Sequence, residues 1–135
     1  MSEQRKVIRI RDVMNEQVHV VDGAITVDEA LERIQQTKVE ALIIDKRHAD
    51  DEFGIVLLAD IARQVLARDK APTRVNVYEI MSKPVVSVDP MMDIRYCARL
   101  FEKFGLSNAP VIDNDVVVGM VSYNDLVLKG MVARD

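Results

Sequence analysis

Self-similarity at a spacing of 67 residues governs how this chain can fold. Asp12-Val13-Met14 corresponds to Glu79-Ile80-Met81, and an aliphatic residue, Ile10 or Val77, stands two positions before each. At the same shift Val18 meets Val85, Val21 meets Val88 and Asp22 meets Asp89, so an extended segment is predicted after the short turn in both halves. A helix comes next. In the first half Thr26-Val27-Asp28-Glu29 has the pattern of a capping box, and Val27, Ala30, Leu31 and Ile34 recur at helical spacing. In the second half Asp93 takes the cap position, and Ile94, Cys97, Ala98, Phe101 and Phe104 repeat the apolar stripe with larger side chains.

Each helix is followed by a β-rich run, Ala41-Leu42-Ile43-Ile44-Asp45 or Ala109-Pro110-Val111-Ile112-Asp113, and these align with a single-residue gap. The turn after the first run, residues 46–52, is charged and predicted to be exposed, whereas Asn114-Asp115 is a tight hairpin signal. Second strands over 53–57 and 116–121, each holding a glycine (Gly54 or Gly119), lead into final helices over 58–68 and 123–132. Ala71-Pro72-Thr73 marks the joint, because proline stops the preceding helix. The expected organisation is an N-terminal tail 1–9, a repeat 10–69, a linker 70–76 and a repeat 77–132. Each repeat reads strand, helix, strand, strand, helix: an α+β fold with β-α-β-β-α twice. Neither half has enough residues to bury both faces of its sheet, so the two are expected to pack as one module about a pseudo-two-fold axis. Ile61, Val65, Leu126, Val127 and Met131 then belong either to that core or to the interface of a homodimer.

Composition narrows the function classes. A net charge of −4 has the wrong sign for wrapping a phosphate backbone, so no nucleic acid is expected as a partner. Arg5, Lys6, Arg9 and Arg11 make the first residues basic, but no run there suits a signal peptide and no later run could span a bilayer. A cytoplasmic protein with no membrane partner is expected. Cys97 is a single cysteine without a Cys or His cluster, which excludes an internal disulfide, offers no metal framework and points to core packing. His19 and His48 are isolated. No nucleophile with a base, metal cluster or cleft carboxylate pair stands out, and the repeat accounts for both Asp60 and Asp125 without catalysis. No catalytic residue and no required cofactor is expected.

Gly119-Met120-Val121-Ser122-Tyr123-Asn124-Asp125 matches glycine, hydrophobic, any, Ser or Thr, any, any, Asp. It resembles the signature of the CBS domain. The resemblance extends over nearly the whole chain after the tail, through the Glu79-Ile80-Met81-Ser82 opening and the Ala109-Pro110-Val111-Ile112-Asp113 strand. It implies a tandem pair, or Bateman module, like the small free-standing bacterial members. Such pairs bind adenosine-containing ligands, AMP, ADP, ATP or S-adenosylmethionine, in clefts between the repeats and pass the signal to a partner, here an unidentified effector. The resemblance places the nucleotide against Ser82, Pro84 and Val85, against Leu106, Ser107, Asn108 and Ala109, and against Ser122 and Asp125. Main-chain groups of the first two sets read the adenine edge, and their apolar side chains sandwich the ring.

Local chemistry agrees with that assignment. A strand ending at Ser122 and turning into a helix presents free N–H groups to a phosphate, and Asp125 can accept from both ribose hydroxyls. Ser122-Tyr123-Asn124-Asp125 is also a capping box, in which the two side chains satisfy each other's backbone donors. For Val85, Leu106 and Ala109 plain core packing is the alternative. In the first half Leu57 occupies the hydroxyl position, so Val18 and Asp60 are expected to form at most a weaker second site, and Glu40 would repel a phosphate if it pointed inward. Lys83, Arg95 and Arg99 are the candidate phosphate cations. The rival to ligand sensing is a dimerisation or docking module whose clefts are filled by Leu57 and Met120.

Overall fold

The structure, a computed structural model, describes residues 6–132; Arg5 of the basic N-terminal stretch lies outside the described residues. In chain order the elements are α1 (Ile10–Val13), β1 (Val20–Val21), α2 (Val27–Thr37), β2 (Ala41–Ile44), β3 (Gly54–Leu57), α3 (Leu58–Ile61), α4 (Ile94–Phe104), β4 (Asn108–Asp113) and β5 (Val116–Ser122). A π-helical turn Ala62–Leu66 continues α3, 3-10 turns cover Pro72–Arg74 and Val77–Glu79, and a π-helix Asp125–Val132 follows β5. The chain is α+β with two repeats; the expected strand, helix, strand, strand, helix order is complete in the first, whereas the opening strand of the second is reduced to an isolated bridge. The final helices depart from regular α geometry, with Ala67 donating to the Ala62 carbonyl at 2.8 Å, five residues back.

Two compact units divide the chain, a mid-chain unit His19–Val85 and a terminal unit made of 6–18 and 86–132. The mid-chain unit holds a three-stranded sheet, β1-β2-β3, in which β1 runs parallel to β2 and β2 antiparallel to β3. Thr26 caps α2 by accepting from the Glu29 N–H at 3.2 Å, and Val27, Ala30 and Ile34 face a core with Leu42, Ile44 and Val56. In the terminal unit β4 and β5 form a hairpin. Asn114 and Asp115 both have positive φ, 52° and 67°, which is the backbone a two-residue type I′ turn requires. Asp93 caps α4 by accepting from the Arg95 N–H at 2.9 Å. Cys97 and Phe101 are fully buried in a core with Val111, Val121 and Leu126, as the cysteine's apolar neighbours suggested.

Each unit borrows its opening segment from the other repeat. Ile10 and Val13, from the first repeat, are buried in the core built around α4 and β4, whereas Val75 and Val77 are buried in the core built around α2 and β2. Val27 donates to the Val75 carbonyl at 2.7 Å and Val77 to the Ile25 carbonyl at 2.9 Å; Ile94 donates to Ile8 at 3.0 Å and Ile10 to Met92 at 2.8 Å. Every partner in the second pair is the first pair's partner displaced by 67 residues. The equivalence therefore starts at Ile8 and Val75, inside the stretches expected to be tail and linker.

The same spacing corrects the alignment of the central strands. Ile44 pairs with Gly54 and Val111 with Gly119, so Ile44 corresponds to Val111, Ile43 to Pro110, and no gap is needed. That correspondence explains an asymmetry. Ile43 donates to the His19 carbonyl at 3.0 Å, a bond that holds β1 in the mid-chain sheet. Pro110 has no N–H to donate. The strand expected around Val88 is accordingly reduced to one parallel bridge with Val111, made by Val88 donating to Pro110 and accepting from Ile112, each at 3.0 Å.

Of the apolar residues left open between core and dimer, Ile61, Val65 and Leu126 are buried within their own units, because α3 and the π-helix turn them onto the cores. Val127 and Met131 remain exposed, together with Leu58, Leu66, Leu128 and Val132.

Candidate functional site

The hairpin register builds one side of the candidate site. Asn108, the first residue of β4, pairs with Ser122, the last of β5, and Ala109 pairs with Val121. This brings Ser107 and Asn108 beside the strand-to-helix junction, and the Asn108 Nδ2 donates to Ser107 Oγ at 3.1 Å. Asp125 turns back on the junction. Its Oδ2 accepts from the Ser122 N–H at 2.9 Å and from Ser122 Oγ at 3.1 Å, and its Oδ1 pairs with Lys129 Nζ at 2.9 Å. The Asp125 side chain is 13% exposed. Ser107 is exposed, Asn108 and Ser122 are half-buried, Ala109 is buried, and Leu106 packs partly buried on the terminal core. In this structure the junction thus makes the capping contacts.

The mid-chain unit repeats the arrangement without the hydroxyl. Asp60 Oδ2 accepts from the Leu57 N–H at 2.8 Å, and its Oδ1 pairs with Arg63 at 2.9 Å. Lys129 and Arg63, which hold the two aspartates, went unnoticed in the sequence reading, although their i,i+4 and i,i+3 spacing is a local signal. Ser82, Pro84 and Val85 belong to the mid-chain unit, where Ser82 exchanges backbone hydrogen bonds of 2.9 and 3.0 Å with Ile55 and Val85 donates to the Phe53 carbonyl at 3.0 Å. Ser82 and Pro84 are exposed and Val85 is half-buried. Val18 ends the terminal unit's first segment, so the two residues expected to share a weaker site fall in different units. Met120 is half-buried and exchanges backbone bonds of 2.8 and 2.9 Å with Asn15.

The candidate cations are engaged elsewhere. Lys83 Nζ lies 2.6 Å from Asp51 Oδ1, Arg95 forms a 2.6 Å pair with Asp93, and Arg99 lies over the Tyr96 ring at 5.3 Å. The hydrogen bond from Lys83 holds the Asp51 carboxyl well below the usual carboxylate range, and that from Arg95 does the same to Asp93. Burial pushes the Cys97 thiol up to about 11, so it stays protonated and unreactive at neutral pH. A carboxylate whose folded pKa is depressed contributes stability that is complete above its unfolded value of about 3.9 and is lost as pH falls through the folded value. The urea midpoint is therefore expected to fall progressively as pH drops below about 4, and to fall less steeply in Asp51→Asn. A midpoint unchanged between pH 5 and pH 2.5 would contradict both assignments.

An apolar cavity of about 410 Å³ lies elsewhere on the terminal unit, lined by Ile8, Ile94, Ala98, Leu126, Val127 and Met131 among others. No helix among the described residues is long and apolar enough to cross a membrane.

Comparison with known proteins gives the repeat a family context. The profile of the CBS domain matches residues 10–67 and again 77–131. The structure of a hexameric CBS-CP12 protein from bloom-forming cyanobacteria is 35% identical, with a TM-score of 0.90 over 94% of this chain and 73% of that one. The CBS domain pair of protein MJ0100, in complex with 5'-methylthioadenosine and S-adenosyl-L-methionine, is 25% identical, with a TM-score of 0.77 over 88% of this chain and 96% of that one. The CBS domain-containing protein YhcV of Bacillus subtilis is 27% identical over 122 residues, which is 90% of this chain and 85% of YhcV. Of other curated relatives the chain spans 40%, 59% or as little as 23% of the length.

Proposed function

The chain belongs to the CBS domain family, and from that premise we propose that it is a cytoplasmic regulatory module whose terminal unit holds an adenosine-containing ligand at the Ser122 to Asp125 junction. The observation that carries this reading is the pairing of Asn108 with Ser122, which sets Ser107 and Asn108 beside a carboxylate that can accept from a ribose diol. On binding, the diol replaces the Lys129 ammonium on Oδ1, while Oδ2 keeps the Ser122 N–H. Ser107, Asn108 and Ala109 offer main-chain groups for the adenine edge, with Leu106 as an apolar wall. Ser82, Pro84 and Val85 rest on the family resemblance alone, and the mid-chain junction at Asp60 is proposed as a weaker site of its own unit, since Leu57 supplies no hydroxyl.

Ligands with few or no phosphates suit this site best. Lys83 and Arg95, two of the cations that could neutralise a triphosphate, already pair with Asp51 and Asp93. The MJ0100 complex is supportive, because neither of its two ligands carries a phosphate. Adenosine, AMP and S-adenosylmethionine are therefore preferred over ATP. A thermal-shift panel of these compounds tests the reading. A ligand binding the native state at a hundred times its Kd adds about 2.7 kcal/mol. The gain is expected for at least one adenosine compound and is expected to be lost in Asp125→Asn, which keeps an acceptor for the Ser122 N–H. A panel without response, or a response that survives the substitution, would refute it.

Exposed Leu58, Leu66, Val127, Leu128, Met131 and Val132 favour a second role, homodimerisation. The two roles are compatible, and a regulatory output to an effector follows if the ligand favours one state of the dimer over another. If the module only docks, Met131→Glu shifts the mass measured by light scattering while the nucleotide panel stays silent.

A further inference from the structure

The mid-chain unit carries a cavity of about 490 Å³ at the C-terminal ends of β1 and β2, remote in sequence from the Ser122 to Asp125 junction. Its floor is apolar, formed by Ile44 and Met81, with the half-exposed Tyr78 ring beside them. Gly23 allows this closeness, since a Cβ there would lie 3.2 Å from both Ile44 Cγ2 and Tyr78 Cβ. Two cations and two carboxylates complete the lining: Arg47 and Lys83, and Asp22 and Asp45.

The cations are held in place. Asp51 takes Lys83 Nζ on Oδ1 at 2.6 Å, and on Oδ2 it takes the Arg47 N–H at 2.9 Å and Arg47 Nε at 3.3 Å. Each ammonium or guanidinium retains further donors. Asp22 uses Oδ1 for the Ala24 N–H and Asp45 uses Oδ1 for the Lys46 N–H, both at 2.8 Å, which fixes each carboxylate and leaves an acceptor oxygen.

The internal repeat provides a control. At the 67-residue shift Gly23, Ala24, Asp45, Arg47, Tyr78 and Lys83 correspond to Pro90, Met91, Ile112, Asn114, Arg11 and Glu16. The terminal unit makes the same backbone contacts, with Arg11 donating to the Pro90 carbonyl at 2.9 Å where Tyr78 donates to Gly23 at 3.0 Å. The terminal unit keeps the aspartate, Asp89 accepting from the Met91 N–H at 2.8 Å as Asp22 does from Ala24, but it is built without counterparts of Asp45, Arg47 and Lys83, so folding alone does not require those three charges.

We propose that this cavity is a second small-molecule site, taking a compact zwitterion with an apolar body, such as a free hydrophobic amino acid. The carboxylate meets Lys83 and Arg47, the ammonium meets Asp22 and Asp45, and the side chain lies on Ile44, Met81 and Tyr78. A pure anion would face the two lining carboxylates, and a pure cation the two lining cations.

Three probes of one shape test this: phenylalanine, 3-phenylpropionate and phenethylamine, each titrated into the labelled full chain and followed by amide NMR. Saturable shifts at Gly23, Ala24 and Tyr78 are expected, with phenylalanine binding at least about tenfold more tightly than either singly charged probe. Lys83→Gln and Asp22→Asn are each expected to weaken phenylalanine about tenfold; Asp22→Asn keeps the acceptor for the Ala24 N–H, so it reports even if loss of the Asp51 pair unsettles the other variant. No saturable shift, a singly charged probe binding as tightly as phenylalanine, or an affinity unchanged in Asp22→Asn would overturn the proposal. Because the adenosine panel reads Asp125, either site can fail alone.

Discussion

Phe101→Ala is expected to remove about 3–5 kcal/mol of stability, a large share of the 5–15 kcal/mol that holds a typical domain together. Phe101 is fully buried, and its ring meets Tyr123 edge to face with centroids 5.1 Å apart, so truncation leaves a cavity and also removes an aromatic pair. Tyr123 directly follows Ser122, and the loss should therefore reach the junction as well as the core. Urea unfolding measures the first effect. Weakened binding by whichever adenosine compound the wild type accepts measures the second. A variant losing less than about 1 kcal/mol would mean that the Phe101 site collapses around the cavity far more completely than such sites usually do.

Ile10→Ala is expected to cost about 2–5 kcal/mol, and to do so in the repeat to which Ile10 does not belong by sequence. Its side chain is fully buried and belongs to the same core as Val88, Cys97, Phe101, Val111 and Val121. Hydrogen exchange locates the damage. Protection should fall at Val111 and Val121 more than at Leu42 and Val56, which lie in the other core. Uniform loss, or loss concentrated at Leu42 and Val56, would contradict the exchange of opening segments.

That exchange marks the limit of what local pattern could disclose. Thr26 and Asp93 identify both helix starts because a cap and its apolar stripe lie within a few residues of each other. Asn114-Asp115 identifies the hairpin for the same reason: its two residues adopt the positive φ that the turn demands. Ile10 and Val77 carry no comparable mark, since any apolar core accepts an isoleucine or a valine, and only the long-range backbone bonds decide which core receives each. The one-residue gap arose because alanine at 41 and at 109 matched by identity, whereas hydrogen-bond register equates Ile43 with Pro110. Pro110 then explains the shortened strand at Val88, a consequence readable once the register is known.

The candidate site was legible in a similar degree. Ser122 and Asp125 are singled out with both roles open, and the junction makes the capping contacts while Asp125 Oδ1 pairs with Lys129. The engagement of Lys83 with Asp51 was not readable, because the two are far apart in sequence and neither follows a helical spacing. The pair is the ground on which the proposed ligand preference turns away from triphosphates, and it positions one of the charges of the proposed zwitterion site.

Ligand location by amide NMR addresses the adenosine reading most directly. With S-adenosylmethionine and AMP titrated into the labelled protein, the largest saturable shifts are expected at Ser107, Asn108, Ala109 and the Ser122 to Asp125 junction, for at least one of the two compounds. Shifts absent for both, or confined to residues outside that set, would contradict it.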